Sequence, residues 1–272
     1  MIVANMTNDL DLLKQVTDLL ERGNKVALCT IIEKQGSGPR EVGAKMVVSE
    51  NGKIVGTIGG GNLERVLITE SLNVLDKGKS KKIVVSLRKN TRKATVETGL
   101  ICGGELTVFI DIIKPKQRLI IVGAGHTAEP LAKLADILGY SLTIIDDDEQ
   151  LANRKRFPMA EKIVTGNFTD ILDQLNVKPQ DFVVIVHGEP EHDYLALKKM
   201  LERKPAYVGL LGSKTKVAIL VEKLKAAGLT PRDLKSLHAP VGLDINAQSP
   251  EEIGISILAE IIREGNHRKS SA

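Results

Sequence analysis

The chain contains no tryptophan, only three tyrosines and four phenylalanines. So few rings exclude a long stacking platform for single-stranded nucleic acid, and they leave the core to aliphatic side chains. Cysteine is equally scarce. Cys29 and Cys102 are the full complement, which excludes a disulfide framework and any Cys-x-x-Cys zinc or redox motif. No run of about 18 apolar residues occurs, so no membrane-spanning helix is expected. The opening residues, MIVANMTNDLDLLKQ, lack the basic and then apolar pattern of a secretion signal. A reducing, cytoplasmic location is the expectation. Charge of neither sign dominates: 38 Lys and Arg stand against 34 Asp and Glu, a net charge of +4. Spread over this length, that balance is no nucleic-acid footprint. The basic clusters at 77–82 and 88–93 read as solvated loops.

What is present fits a globular chain of two domains. Of 272 residues, 42% are apolar and 26% charged. Residues 9–22 carry leucines at helical spacing, with Gly23 as a stop. Residues 25–32 read as a buried strand. Residues 44–57 read as a hairpin, because two apolar runs flank Asn51-Gly52, a pair favoured in tight primed turns. A helix is expected near 62–77, then strands at 82–87 and 105–112. Proline-bearing residues 114–117 read as a linker.

Beyond them the rhythm becomes strand–helix alternation, with strands near 118–122, 141–145, 162–165, 181–186 and 206–211. That alternation predicts a parallel sheet covered on both faces. A last helix opens at Ser249-Pro250-Glu251-Glu252, a capping box. The fold class expected is α/β: an N-terminal α+β domain over 1–114 and a C-terminal Rossmann-type, doubly wound domain over 115–272.

The sequence RLIIVGAGHTA places Gly123-x-Gly125-x-x-Ala128 between an apolar strand and a helix. Free N–H groups at such a helix start favour an anion. Asp146 ends the next strand, where a ribose-binding carboxylate belongs. The neighbouring Asp147 and Asp148 disfavour a 2′-phosphate, so NAD or FAD is preferred to NADP if a dinucleotide binds. The plainer alternative is that these glycines serve helix–strand packing. His187, His192 and Asp193 follow the fourth strand of this half and form a candidate metal-ligand set; their spacing fits no strong zinc pattern, and hydrogen-bonded loop residues are the simpler account. Ser213 and Lys214 open another helix, with cations suited to an anion.

The first half carries three glycine clusters: 36–40, ending in Arg40; 56–64, with Gly59, Gly60, Gly61 and Glu64; and 102–105, with Cys102, Gly103 and Gly104. Ordered glycines are costly, so clusters suggest backbone passing close to a ligand or turning tightly. Arg40 is a candidate clamp for phosphate or carboxylate. Cys29 lies mid-strand and reads as core. Cys102 lies between Ile101 and two glycines. Position alone admits a ligand-facing thiolate or a buried inert thiol.

The segments GSGPREVGAKMVV, GTIGGGNLE and LICGGELTVFI resemble the N-terminal domain of the XdhC/CoxI family. The segments IIVGAGHTAEPLAKLADILGYSLTIIDDD, KRFPMA, YVGLLGSKTK and HAPVGLDINAQSPEEIGISILAEII resemble its Rossmann domain. These proteins are accessory factors of xanthine dehydrogenase and other molybdenum hydroxylases. The resemblance implies a chaperone rather than a turnover enzyme, binding the molybdenum cofactor (molybdopterin). It also implies presentation of that cofactor to a cysteine desulfurase, insertion into an apo molybdenum hydroxylase of the xanthine dehydrogenase type, and a homodimer. On the matching positions, Cys102 is the candidate contact to molybdenum or its sulfur. Gly59, Gly60, Gly61 and Glu64 match the family's glycine turn, Gly123, Gly125 and His126 its phosphate-type loop, and Ser213 and Lys214 its Gly-Ser-basic motif.

Two positions depart from the pattern. Asp147 stands where an arginine is common, and Val186 precedes His187 where a threonine is usual. The rival readings are an NAD(P)-dependent oxidoreductase, with NAD or another nucleotide at the loop, and a nucleotide-sensing regulator. All histidines lie in the second half, so the first half offers a dehydrogenase no histidine acid or base.

Overall fold

The computed structural model describes residues 8–87, 96–97 and 104–271, with side chains left aside at 96–97 and 267–271. Described residues up to Pro115 form one unit, and Lys116–Ser271 form a second.

The first unit runs α1 (Asp9–Glu21), β1 (Val26–Gln35), β2 (Lys45–Ser49), β3 (Ile54–Gly56), α2 (Gly61–Lys77), β4 (Lys81–Ser86), β5 (Val96–Glu97) and β6 (Glu105–Ile113). The strands form one sheet in the order β3-β2-β1-β6-β4-β5, antiparallel apart from the β4–β5 pair. Alternation along β1 divides the side chains between the two faces. Ala27, Cys29 and Ile31 meet α2 through Leu63, Leu67 and Val74. Val26 meets α1 through Leu12 and Val16 on the other side. Cys29 is buried core, as its mid-strand place suggests. Burial pushes its thiol up to about 11, partly opposed by a hydrogen bond with Ser71.

The expected two-residue hairpin turn is replaced by a three-residue one. Ser49 N–H donates to the Lys53 carbonyl, so residues 50–52 form the loop, and Gly52 takes the left-handed conformation. Asn51 is the cause: its side-chain oxygen accepts from Ser49 Oγ and from Lys53 N–H, which fixes a wider turn.

The second unit continues with β7 (Arg118–Val122), α3 (Ala128–Ile137), β8 (Ser141–Ile145), β9 (Lys162–Val164), α4 (Phe168–Gln174), β10 (Phe182–Ile185), α5 (Pro190–Glu202), β11 (Tyr207–Leu210), α6 (Lys214–Ala226), β12 (Leu237–His238) and α7 (Pro250–Ser271). Its six strands are parallel, in the order β12-β11-β10-β7-β8-β9. This is the doubly wound Rossmann arrangement, with the order reversing between β7 and β10.

Both faces of that sheet are covered, so its strands are apolar throughout rather than alternating with polar residues. Along β7, Leu119 and Ile121 pack toward α3 and α7, while Ile120 and Val122 pack toward α4, α5 and α6. The capping box at the start of α7 is formed: Ser249 Oγ accepts from Glu252 N–H, and the Glu252 carboxylate accepts from Ser249 N–H. Among the described residues, no helix is long and apolar enough to cross a membrane.

Candidate functional site

The glycine clusters of the first unit are far apart in sequence and adjacent in space. A side chain at Gly59 would meet the Pro39 ring at 2.3 Å. One at Gly104 would meet the Ser37 carbonyl oxygen at 2.1 Å. The registers put the end of β1, the start of β6 and the end of β4 at one end of the sheet. The 36–40 and 56–64 clusters and Gly104 of the third therefore close on one another at that end. Arg40 is half-buried there and makes no hydrogen bond or ion pair with a described residue. Cys102 and Gly103 lie outside the described residues.

Glu64 has a clear task. It is buried, and its Oε1 accepts from Thr57 Oγ1 at 2.5 Å, Gly60 N–H at 3.0 Å and Ile58 N–H at 3.3 Å. Two N–H groups of this turn are thus held by the chain's own carboxylate. Gly60 and Gly61 have φ of 78° and 62°, which suits glycine. We predict that Glu64→Ala leaves these donors unpaired and destabilises the first unit by about 2 kcal/mol. Amide hydrogen exchange at Ile58 and Gly60 should accelerate; unchanged protection there would refute the role.

In the second unit, Gly123 lies at the point where the strand order reverses. Its φ is 102°, and a side chain on it would strike the backbone of His187. Asp146 is not turned outward toward a ribose. It is 3% exposed, and its two oxygens accept from Ala124 N–H at 2.5 Å and Asp148 N–H at 2.9 Å. It closes the glycine loop from beneath. Arg156 closes it from the side, donating to the carbonyls of Ala124, Leu151 and Gly125 and to Glu129. Sequence reading assigned Arg156 no role. The signal available was an arginine within KRFPMA, but nothing in the spacing gave its target. Gly125 and the exposed His126 lie at the loop's crest, and α3 starts without a side-chain cap.

The expected cationic anion site at α6 is largely committed internally. Ser213 caps its own helix by accepting from Lys216 N–H. Lys216 pairs with the fully buried Asp193 and donates to the Gly188 carbonyl. Lys214 is exposed and makes no ion pair with a described residue. Asp193 therefore faces Lys216 and not the histidines.

Asp147 takes the place that the sequence suggested for Asp193. Its Oδ1 lies 3.0 Å from His187 Nε2, and its Oδ2 lies 3.6 Å from His192 Nε2. The two imidazoles stack with centroids 4.5 Å apart, and Phe168 stands edge-on to both. Glu189 holds His192 Nδ1 at 2.9 Å. Burial pushes the Asp147 carboxyl up. The hydrogen bond from His187, a backbone hydrogen bond and the two nearby histidines outweigh that and hold it below its ordinary value. A depression of about 240 Å³ by β9, lined by Val164, Asn167 and Ile171, contains none of these groups.

The chain has relatives among known proteins. It is 34% identical over 259 residues to the Escherichia coli (strain K12) protein YqeB, covering 95% of this chain and 47% of that one. Against a Bacillus subtilis (strain 168) protein named as a probable subunit of xanthine dehydrogenase it is 34% identical, covering 57% of this chain and 45% of that one. It thus spans about half the length of these two relatives. It is 22% identical to the Escherichia coli (strain K12) molybdenum cofactor insertion chaperone PaoD, covering 96% of this chain and 90% of that one. A crystal structure described as a xanthine dehydrogenase from Bacillus halodurans aligns over 98% of both chains, at 25% identity and a TM-score of 0.55. The XdhC and CoxI family model matches residues 19–87, and the XdhC Rossmann domain model matches residues 119–261, over half of the chain. The chain belongs to the XdhC and CoxI family.

Proposed function

We propose that the protein is a maturation chaperone of a molybdenum hydroxylase. It binds the molybdenum cofactor as cargo, protects it, supports its sulfuration by a cysteine desulfurase, and helps insert it into an apo-enzyme of the xanthine dehydrogenase type. The likeness to PaoD along nearly the whole chain supports the cargo, and the likeness to the Bacillus subtilis protein named for xanthine dehydrogenase supports the client.

The observation that carries the reading to particular residues is the convergence of the 36–40 and 56–64 glycine clusters and Gly104 on one end of the first sheet, with Arg40 unpaired among the described residues. Backbone without side chains lets a flat pterin approach closely. A guanidinium suits the phosphate of that pterin, which it grips through two parallel hydrogen bonds. Molybdenum is held by soft sulfur, so the Cys102 thiolate is the proposed contact to the metal or its sulfur. Glu64 builds the turn rather than touching cargo. In the second unit, Gly125 and His126 are the proposed anion contacts, on the turn that Gly123 makes, with Lys214 as an exposed cation. Asp146 and Ser213 act on the backbone. NAD or another nucleotide at this loop, and a homodimer, belong to the same proposal.

The test mixes the full chain with molybdenum cofactor released anaerobically from a donor enzyme and measures retention on gel filtration. Wild type should retain the cofactor stoichiometrically, and Cys102→Ala and Arg40→Ala should lose at least tenfold in retention. Retention by wild type and equally by Cys102→Ala would keep the chaperone and remove the thiol from it. No retention by wild type, with tight NAD binding instead, would replace the chaperone with the oxidoreductase or the sensor.

A further inference from the structure

The geometry points to a second ligand site, a divalent transition-metal site on the Rossmann unit formed by Asp147, His187 and His192. It shares no residue with the first-unit residues proposed for the molybdenum cofactor, and it stands or falls independently of that proposal.

The three residues come from three elements. Asp147 follows β8, His187 follows β10, and His192 lies in the first turn of α5. One donor atom from each lies within 4.8 Å of the others. The carboxylate-to-imidazole separations are 3.0 and 3.6 Å. Two ligands on a tetrahedral ion, with bonds of about 2.0–2.2 Å, lie about 3.4 Å apart. The pairs on Asp147 bracket that separation, and closing the His187–His192 edge requires the partly exposed His192 to turn out of its stack on His187.

A single carboxylate faces two imidazoles that are stacked to within 2° of parallel, each presenting Nε2 to a different oxygen. Glu189 lies 2.9 Å from His192 Nδ1, which leaves Nε2 to face Asp147. A carboxylate behind a histidine is how metal-ligating imidazoles are oriented. The His187 side chain is 9% exposed, and its Nδ1 has no hydrogen-bond partner among the described residues. Coordination through Nε2 would put the proton of His187 on Nδ1.

The donor set selects the metal. Two imidazoles with one carboxylate suit zinc, iron, cobalt or nickel, whereas magnesium and calcium need oxygen-rich shells. Three protein donors leave at least one position for water or an anion oxygen. The backbone of His187 lies against Gly123, so the ion sits beside the glycine loop.

The experiment uses untagged full-length protein, stripped with a chelator. Calorimetric titrations with Zn²⁺ and Mg²⁺ are compared, and Co²⁺ is followed by its visible spectrum. Zn²⁺ and Co²⁺ should bind at about one equivalent, at least a hundredfold tighter than Mg²⁺. Asp147→Asn and His192→Gln change partly exposed residues, so the fold should survive; tyrosine circular dichroism checks that it does. Each should weaken Zn²⁺ at least tenfold, and Glu189→Gln, acting through His192, should weaken it about tenfold. Three results would overturn the site. One is no Zn²⁺ or Co²⁺ binding by wild type. Another is binding unchanged in both ligand variants, which places the ion elsewhere. The last is equal affinity for Mg²⁺, which marks a nonspecific acidic surface.

Discussion

Gly123→Ala should destabilise the second unit by about 3 kcal/mol, combining left-handed strain with overpacking. The added carbon would lie 2.4 Å from both Cα and N of His187 and 2.7 Å from the Val186 carbonyl carbon. All three obstacles are backbone atoms, and neither chain is free to retreat. Gly123 N–H is bound to the Ile145 carbonyl at 2.7 Å, and Val186 N–H to the Val122 carbonyl at 2.8 Å. The glycine φ of 102° adds strain that alanine tolerates badly. Gly125 gives the internal control. Nothing lies within 4 Å of its added carbon, so Gly125→Ala should change stability by less than about 0.5 kcal/mol. The measurement is urea unfolding followed by tyrosine fluorescence. Tyr140, Tyr194 and Tyr207 are the only tyrosines and all belong to the second unit, and no tryptophan masks them. Equal losses at both glycines would refute the packing argument.

Lys216→Met should be comparably damaging, at about 3–5 kcal/mol, because it strands a buried charge. Asp193 is 0% exposed. Its support is Lys216 Nζ on one oxygen and Gly188 N–H at 3.3 Å on the other. Removing the ammonium leaves a buried carboxylate with one weak donor. The Gly188 carbonyl also loses its partner at 2.9 Å. Most of the loss comes from the orphaned charge rather than from the vanished attraction. The double variant Lys216→Met with Asp193→Leu should therefore be more stable than Lys216→Met alone, by about 1 kcal/mol or more. If the double variant loses the sum of the two single losses, the buried pair is not the cause.

The element order was legible because hydrophobic period is local. Apolar runs such as RLIIV and SLTII, spaced by helical stretches, are what a sheet buried on both faces requires. The Gly123 loop was legible because strand, turn and helix adjoin in the chain. Side-chain partners were not. A strand buried on both faces carries no alternation to show which way its last residues point. Asp146 thus turned in to Ala124, while Asp147 met the histidines. Asp193 is three residues beyond Pro190 and looked like a companion of His192. Helical geometry instead aims these neighbours about 100° apart, which sends Asp193 to Lys216. Arg156 and the union of the glycine clusters depend on contacts across the sheet, which no local pattern records. Cys102 and Gly103 stand on sequence and resemblance.

Glu64 also imposes a constraint on length. It reaches back to Ile58 and Gly60 from the first turn of α2, so the run Gly59-Gly60-Gly61-Asn62-Leu63-Glu64 acts as a ruler. Inserting one residue between Gly61 and Glu64 would rotate the carboxylate by about 100° around the helix, and the turn would lose its anchor. Leu63 would leave the core with it, since both are phased by the same turn. The segment should therefore accept changes of residue at Asn62, which is exposed, far more readily than any change in spacing.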